Sequence, residues 1–146
     1  MNRLYVVATW VPRRETIVVG ALGPITLARG WHAYVGSARR GRDARVARHM
    51  RADKPLRWHA DYLFTRYPAT RSWLVDTPLS ECELAARLRR SATNAADGVA
   101  RFGASDCGCP GHLVSAPNLA ALRGALAEVE AGGGRLRTIA RQRRRP

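Results

Sequence analysis

The sequence predicts an α+β fold in which a small antiparallel or mixed β-sheet is flanked by helices. Short runs rich in β-branched and aromatic residues crowd the chain between residues 4 and 36, with turn residues between them. Segments with apolar residues three and four apart, typical of helices, follow further along. Strands that cluster before the helices, instead of alternating with them, favour the α+β class. The length of 146 residues fits one domain with one core.

Four strand-like runs come first. They are Leu4 to Trp10, Thr16 to Val19, Ile25 to Ala28 and Trp31 to Gly36. The first three, divided by turn residues, predict an antiparallel meander. Because side chains alternate between the two faces of a strand, we expect Tyr5 and Tyr34 to project from the same side of a shared sheet.

Helices and two further strands are predicted for the rest of the chain. A helix over about Arg42 to Ala52 carries three polar residues on one face, at spacings i, i+3 and i+7, namely Arg42, Arg45 and His49. The later elements are a strand over Ser72 to Val75, a helix to about Arg90, a strand over His112 to Ser115 and a helix over Asn118 to Val129. The helix that ends near Arg90 begins either at Thr77-Pro78 or at a capping box of Ser80 and Glu83. Residues 1–131 are predicted to form the domain, and residues 132–146, which open with three glycines, a flexible basic tail.

Net charge indicates the class of partner. The chain has 25 Lys plus Arg against 11 Asp plus Glu, a formal charge of +14, which favours binding to polyanions such as nucleic acid. The alternative is a compositional bias toward arginine, since Lys54 is the only lysine. No apolar run reaches the about 18 to 20 residues that span a bilayer, and no signal-peptide pattern opens the chain, so we expect a cytoplasmic protein without a membrane partner. Nothing in the sequence indicates an obligate protein partner.

One carboxylate falls on the apolar side of a predicted helix. On a helical wheel Glu81 shares a face with Leu84 and Leu88, whereas Glu83 lies opposite. A carboxylate in such a place loses hydration unless it is paired or bound to a cation. The alternative is that Glu81 simply lies in the first turn, where the helix dipole favours acids.

Several segments resemble the GIY-YIG nuclease superfamily. Leu4-Tyr5-Val6 and Tyr34-Val35-Gly36-Ser37-Ala38 resemble the two halves of the superfamily's signature. The segment Arg45-Val46-Ala47-Arg48-His49 resembles the arginine helix that follows the signature. The segment Glu81-Cys82-Glu83-Leu84-Ala85 resembles the helix that carries the metal-binding glutamate. Three segments resemble more closely the small stand-alone Uri-type branch of this superfamily: Trp31 to Ala38, Trp58 to Leu63 and Phe102 to Cys109. Two departures are that Arg3 stands where the motif usually has Gly and that the loop between the two tyrosines has room for about one more hairpin. The resemblance therefore implies the superfamily's α+β fold with an extra N-terminal β-hairpin.

The resemblance also implies an activity, the metal-dependent endonucleolytic hydrolysis of phosphodiester bonds, with DNA favoured over RNA. Glu81 would hold Mg²⁺ or Mn²⁺, which prefer oxygen ligands and retain water. Arg45 would bind phosphate oxygens, Tyr5 would act as a base if its pKa were lowered, Tyr34 would orient it, and His49 would donate to the phosphate or relay a proton. The residues expected to contact nucleic acid are Gly36, Arg39, Arg40, Arg42 and Arg48.

Soft metal ligands form a second constellation. Cys107, Cys109 and His112 lie within six residues, and with Cys82 they would make a set compatible with a structural, tetrahedral Zn²⁺. The alternative is that the cysteines are ordinary buried side chains. His59 and Asp61 would share one face if Trp58 to Leu63 were extended, and they are expected near the active site without an assigned role.

Two other functions stay open at this point. One is a nucleic-acid-binding protein that keeps the fold without cutting. The other is a basic, ribosome-associated structural protein, in which the arginines are solvated contacts and no metal is required.

Overall fold

A five-stranded sheet organises the fold. The structure, a computed structural model, describes residues 1–92, 101–104 and 107–138. In these residues a five-stranded antiparallel sheet, a separate two-stranded hairpin and four α-helices confirm the predicted α+β class and the extra hairpin. None of these helices is long and apolar enough to cross a membrane.

The elements follow one another with short connections. The strands are β1 (Asn2–Val11), β2 (Glu15–Val19), β3 (Gly23–Leu27), β4 (Gly30–Ser37), β5 (Arg71–Thr77), β6 (Leu113–Ala116) and β7 (Arg135–Thr138). The helices are α1 (Arg42–Met50), α2 (His59–Arg66), α3 (Glu81–Ala92) and α4 (Leu119–Ala131). The order of strands across the sheet is β6-β4-β1-β5-β7, and every neighbouring pair is antiparallel.

The predicted meander of the first three strands is wrong. β1 pairs with β4 and β5, while β2 and β3 pair with each other in a sheet of their own. The side chains of β1 are buried on both faces from Leu4 to Thr9, which suits a central strand. The hairpin buries one face only, with Ile17, Val19 and Ile25 packed in the core next to α2 and Val18 exposed.

Two hydrophobic cores lie on opposite faces of the sheet. Leu4, Val6 and Ala8 of β1 face the core formed with α3 and α4. Tyr5 and Val7 face the other core, formed with α1, α2 and the hairpin. The alternation of side chains thus confirms that Tyr5 and Tyr34 lie on the same side of the sheet.

The start of α3 follows the capping box rather than Thr77-Pro78. Ser80 Oγ accepts from the Glu83 N–H at 3.1 Å, and Glu83 Oε1 accepts from the Ser80 N–H at 3.3 Å. These two bonds satisfy backbone donors that the first helical turn leaves free. The helix therefore begins at Glu81, so that its first two residues are Glu81 and Cys82.

One condition and one prediction drawn from the sequence are not met. Trp58 to Leu63 is not extended, because the Asp61 carboxylate accepts from the N–H groups of Arg57 and Trp58 and so starts α2. The flexible tail does not begin at residue 132, because β7 pairs with the free edge of β5 once Gly133, at φ 105°, has turned the chain back. Residues 139–146 of the predicted tail lie outside the described part of the chain.

The register between β1 and β4 sets Tyr5 opposite Gly36. A Cβ atom at position 36 would overlap the Tyr5 ring, so Gly36 makes room for that ring. The close approach predicted at this glycine is therefore to a tyrosine of the neighbouring strand, and the expected contact of Gly36 with nucleic acid is not supported by its burial.

Gly36→Ala is expected to destabilise the protein by about 1 to 3 kcal/mol, since the Tyr5 ring must move out of a packed core. Urea unfolding measures the change. The matched control is Gly124→Ala in α4, where no atom lies within 4 Å of the added Cβ and alanine should stabilise the helix by about 0.5 to 1 kcal/mol. Equal stability of the Gly36→Ala variant and the wild type would contradict the packing argument.

Candidate functional site

All five residues predicted to be catalytic converge where β1, β4, α1 and α3 meet. The Tyr5 hydroxyl lies 2.9 Å from His49 Nε2, and the ring centroids of Tyr5 and Tyr34 are 6.4 Å apart. Arg45 and Glu81 lie close enough to both tyrosines for their charges to influence the tyrosine pKa values. The cluster, which we call the tyrosine site, comprises Tyr5, Tyr34, Arg45, His49 and Glu81.

Ser37, at the end of β4, connects two charged members of the tyrosine site. Its hydroxyl donates to Glu81 Oε1, and its carbonyl accepts from Arg45 Nη1 at 2.7 Å. The Glu81 side chain keeps 31% of its surface exposed, so that its carboxylate remains accessible. Sequence reasoning assigned Ser37 no role, although it belongs to the Tyr-Val-Gly-Ser-Ala segment that carries the resemblance.

Burial raises the pKa of both tyrosines. For Tyr5 desolvation is the largest cause, with Tyr34 adding to it and Arg45 opposing it. For Tyr34 desolvation again leads, followed by the charge of Glu81. The predicted base role of Tyr5 required a lowered pKa, so the protein groups around Tyr5 work against a free phenolate.

His49 is held neutral. Burial and then the positive charge of Lys54 lower its pKa from 6.5 to about 4. Lys54 itself closes the C-terminus of α1, donating to the carbonyls of Arg48, His49 and Arg51 at 2.9 to 3.2 Å. A neutral imidazole has one nitrogen free of a proton, so His49 Nε2 can accept from the Tyr5 hydroxyl. Its Nδ1 atom has no hydrogen-bond partner among the described residues.

Two of the arginines predicted to bind nucleic acid serve the fold instead. Arg42 is buried, with Nη1 2.6 Å from Asp76 Oδ1 and 3.1 Å from the carbonyl of Leu4. Arg48 donates to both carboxylate oxygens of Asp61, at 2.6 and 3.0 Å. Each charge is already paired with a carboxylate, so the structure gives no support to the phosphate contacts expected of Arg42 and Arg48.

Arg39 and Arg40 remain as exposed residues between β4 and α1. Trp58, which the sequence left without a role, is 40% exposed, and its ring centroid lies 6.0 Å from that of His49. Its ring lies under the Arg48 and Arg45 guanidinium groups, at 4.4 and 5.2 Å from centroid to Cζ. Arginine and an exposed aromatic ring next to the tyrosine site offer charge and a stacking surface to a ligand.

His59 and Asp61 support the site from α2. Asp61 is fully buried, and although burial opposes its ionisation, the hydrogen bonds from Arg48 and from the amides of Trp58 and Arg57 lower its pKa. His59 Nδ1 accepts from the Gly103 N–H at 2.8 Å. Asp61 thus anchors Arg48 and the start of α2, and His59 ties α2 to the turn at Gly103, so both are positioning residues of the scaffold.

Three cysteines and one histidine form a cluster next to Glu81, which we call the cysteine site. The ligand atoms of Cys82, Cys107, Cys109 and His112 all lie within 4.8 Å of one another. The three thiol groups are free, and neighbouring sulfurs are 3.4 Å apart. His112 Nε2 lies 3.4 Å from Cys82 Sγ and 3.5 Å from Cys107 Sγ. These residues could together bind a metal ion.

The residues of the cysteine site differ in how their surroundings shift their pKa values. Desolvation, and then the hydrogen bonds of the Cys82 thiol with Cys109 and Cys107, raise the pKa of Cys82 to about 12. Burial also lowers the pKa of His112, which keeps the imidazole neutral and suited to ligate through a ring nitrogen. A backbone hydrogen bond from Cys109 lowers the pKa of Cys107, so that thiol ionises more readily than Cys82. A divalent cation would stabilise the thiolate form of such thiols.

Comparison with known proteins gives a family. Residues 4–133 match the family model described as "domain of unknown function DUF123". The chain belongs to the DUF123 family. No curated protein and no solved structure matches it. The DUF123 match covers every residue of the tyrosine site and of the cysteine site, so both lie within the family's domain.

Stability should fall with acidity because of His49. The pKa of His49 is about 4 in the folded protein, against 6.5 in the unfolded chain. Above pH 6.5 the imidazole is neutral in both states and does not change the free energy of unfolding. As pH falls from 6.5 to 4, the unfolded chain binds a proton that the folded protein does not, so the free energy of unfolding decreases. The full loss is roughly 3 kcal/mol. Urea unfolding of wild type and His49→Gln across this range checks it, because the other histidines are common to both. Identical pH slopes in the two proteins would contradict the lowered pKa.

Proposed function

We propose that this protein is a divalent-metal-dependent endonuclease that hydrolyses phosphodiester bonds of nucleic acid, with DNA as the favoured substrate. One observation carries the proposal. An accessible carboxylate on Glu81, the Arg45 guanidinium and the hydrogen-bonded pair of Tyr5 and His49 converge at one place. The resemblance of the surrounding segments to GIY-YIG nucleases supports it, as does the net charge of +14.

The donors at Glu81 suit Mg²⁺ or Mn²⁺. The carboxylate oxygens of Glu81 and the hydroxyl of Ser37 are hard ligands, and the exposed fraction of Glu81 leaves room for water, which these ions retain. A bound ion would supply neutralisation of the charge that grows on the phosphoryl oxygens. The thiols of the cysteine site, which prefer softer ions, are a separate donor set.

The chain's own residues account for substrate binding and proton movement. Arg45 is permanently charged and can donate two parallel bonds to non-bridging phosphate oxygens. The Tyr5 oxygen can take a proton from the attacking water while its own proton passes to His49 Nε2, 2.9 Å away. This transfer leaves no free phenolate, so the raised pKa of Tyr5 is compatible with it. It places a positive charge on His49, whose pKa is lowered to about 4, so the anionic substrate phosphate must stabilise the imidazolium. Tyr34, whose ring centroid is 5.6 Å from that of His49, packs the pair in place.

Substrate binding is assigned to a revised set of residues. Arg39 and Arg40 are exposed next to the tyrosine site and replace Arg42 as phosphate contacts. Trp58 offers an exposed ring on which an unpaired base can stack. Binding by these residues without cleavage would correspond to the non-catalytic alternative.

Glu81→Gln tests the activity. The substitution keeps the shape but removes the charge, so binding to labelled nucleic acid should survive while cleavage falls by about 100-fold or more, equivalent to about 3 kcal/mol of transition-state stabilisation. The assay resolves single-stranded, duplex and forked DNA and RNA on gels, with Mg²⁺, with Mn²⁺ and with a chelator.

Glu83→Gln is the matched control. Glutamine can replace glutamate in the capping box with Ser80, so α3 and the cleavage rate should be retained. Equal cleavage by both variants and the wild type would remove Glu81 from the mechanism. An equal loss in both would assign the effect to helix stability, and no cleavage by wild-type protein with any substrate would reject the nuclease.

We further propose that the cysteine site binds Zn²⁺ in a structural, tetrahedral arrangement. Three thiolates and one imidazole are a common zinc ligand set, and Cys107, Cys109 and His112 belong to a described segment, 107–112, that lies outside the helices and strands. Freshly purified protein should contain about one Zn²⁺ per chain and lose thermal stability with a strong chelator. The variant Cys107→Ser, Cys109→Ser should lose both the zinc and the response to the chelator. Zinc-free wild-type protein would leave the cysteines as core side chains.

A further inference from the structure

His112 lies between the tyrosine site and the cysteine site. Its Nε2 atom is within 3.5 Å of two cysteine sulfurs, and its Nδ1 atom is 3.5 Å from Glu81 Oε2. The side chain is 3% exposed, and among the described residues Nδ1 makes no hydrogen bond. A buried polar atom without a partner, facing a carboxylate just beyond hydrogen-bond distance, indicates that a small shift would complete the bond.

The tautomer of His112 decides how it interacts with Glu81. A metal ion at Nε2 requires that nitrogen to be without its proton, so the neutral ring must carry the proton on Nδ1, where it can be donated to the carboxylate. Without a metal ion the proton can sit on Nε2, and then the lone pair of Nδ1 faces the lone pairs of Glu81 Oε2. Metal occupancy therefore excludes the tautomer in which the contact with Glu81 is unfavourable.

We propose that His112 is a positioning residue that couples the two sites: a soft divalent ion in the cysteine site fixes the Nδ1–H tautomer, which donates to Glu81 and holds that carboxylate in place to bind Mg²⁺ or Mn²⁺. The inference rests on the proposed role of Glu81. Metal-bound histidines that donate their other N–H to a carboxylate are a general feature of metal sites, and the carboxylate is oriented by the bond as much as the imidazole is.

Helix α3 strengthens the coupling. Glu81 and Cys82 are consecutive residues in its first turn, so about 100° of rotation separates them, and each joins a different site. An ion at the cysteine site therefore fixes the start of α3 through Cys82 as well as the Glu81 carboxylate through His112. Ser37 fixes the other carboxylate oxygen of Glu81 from β4. The carboxylate is then held from two sides.

The tautomer of His112 can be determined by nuclear magnetic resonance, without any cleavage assay. In zinc-loaded wild-type protein, long-range ¹H–¹⁵N correlation spectra of the imidazoles should show the His112 proton on Nδ1, and the proton resonance should move upfield in zinc-loaded Glu81→Gln, whose side chain is a weaker acceptor. A proton on Nε2, a resonance unchanged by Glu81→Gln, or absence of zinc from the cysteine site would overturn the coupling.

The effect on the second ion is measured with His112→Cys. Cysteine keeps a set of four zinc ligands but cannot donate to Glu81, so zinc content should stay at the wild-type level while Mn²⁺, titrated by electron paramagnetic resonance, binds roughly 10-fold more weakly. A purely structural role predicts unchanged Mn²⁺ affinity in this variant. Where His112→Cys fails to hold zinc, the spectra of the wild type and Glu81→Gln decide the question. Wild-type protein with the Nδ1–H bond to Glu81 but no cleavage would support the bond and reject the nuclease.

Discussion

The antiparallel pairing of β1 with β4 is the constraint on which the tyrosine site depends. Its register sets Tyr5 opposite Gly36, and only a residue without a side chain leaves space for the Tyr5 ring at that point. The ring then points into the core under α1, where its hydroxyl meets His49. The same strand, β4, ends in Ser37, which contacts both Arg45 and Glu81. A shift of this register by one residue would move Tyr5 to the opposite face.

Burial and charge divide the tyrosine site into two halves. Tyr5 and His49 are almost completely enclosed, and desolvation keeps both neutral. Arg45 and Glu81 lie nearer the surface and keep their charges in contact with solvent. Tyr5 and His49 share an uncharged hydrogen bond, because transfer of the proton between them alone would form a buried ion pair, while the charged half is placed to meet ions.

Sequence patterns predicted the features that depend on neighbouring residues. They did not predict the features that depend on contacts with residues far away in the sequence. Strand alternation predicted which side chains of β1 and of β4 share a face, because the period of two is a property of each strand alone, and the register of the pair then placed Tyr5 and Tyr34 on the same side. The meander was wrong because strand partners are chosen by burial across the whole sheet, which made β1 central. The condition that Trp58 to Leu63 be extended is not met, because the Asp61 carboxylate accepts from the Trp58 N–H and starts a helix there. The link from His112 to Glu81 joins residues 31 positions apart and has no signal in either segment.

The net charge of the chain is larger than the charge available for binding a ligand, because some arginines are paired with carboxylates distant in the sequence. Arg42 is neutralised by Asp76, and Arg48 by Asp61, so two cations that sequence patterns assign to phosphate stabilise the fold instead. An arginine that donates two bonds to a buried carboxylate cannot be given to a ligand without leaving that carboxylate unpaired, which costs several kcal/mol, roughly 3 to 5 for a buried pair. In the proposed function, contacts with nucleic acid would therefore depend on the accessible residues Arg39, Arg40 and Trp58 rather than on the total charge of the chain.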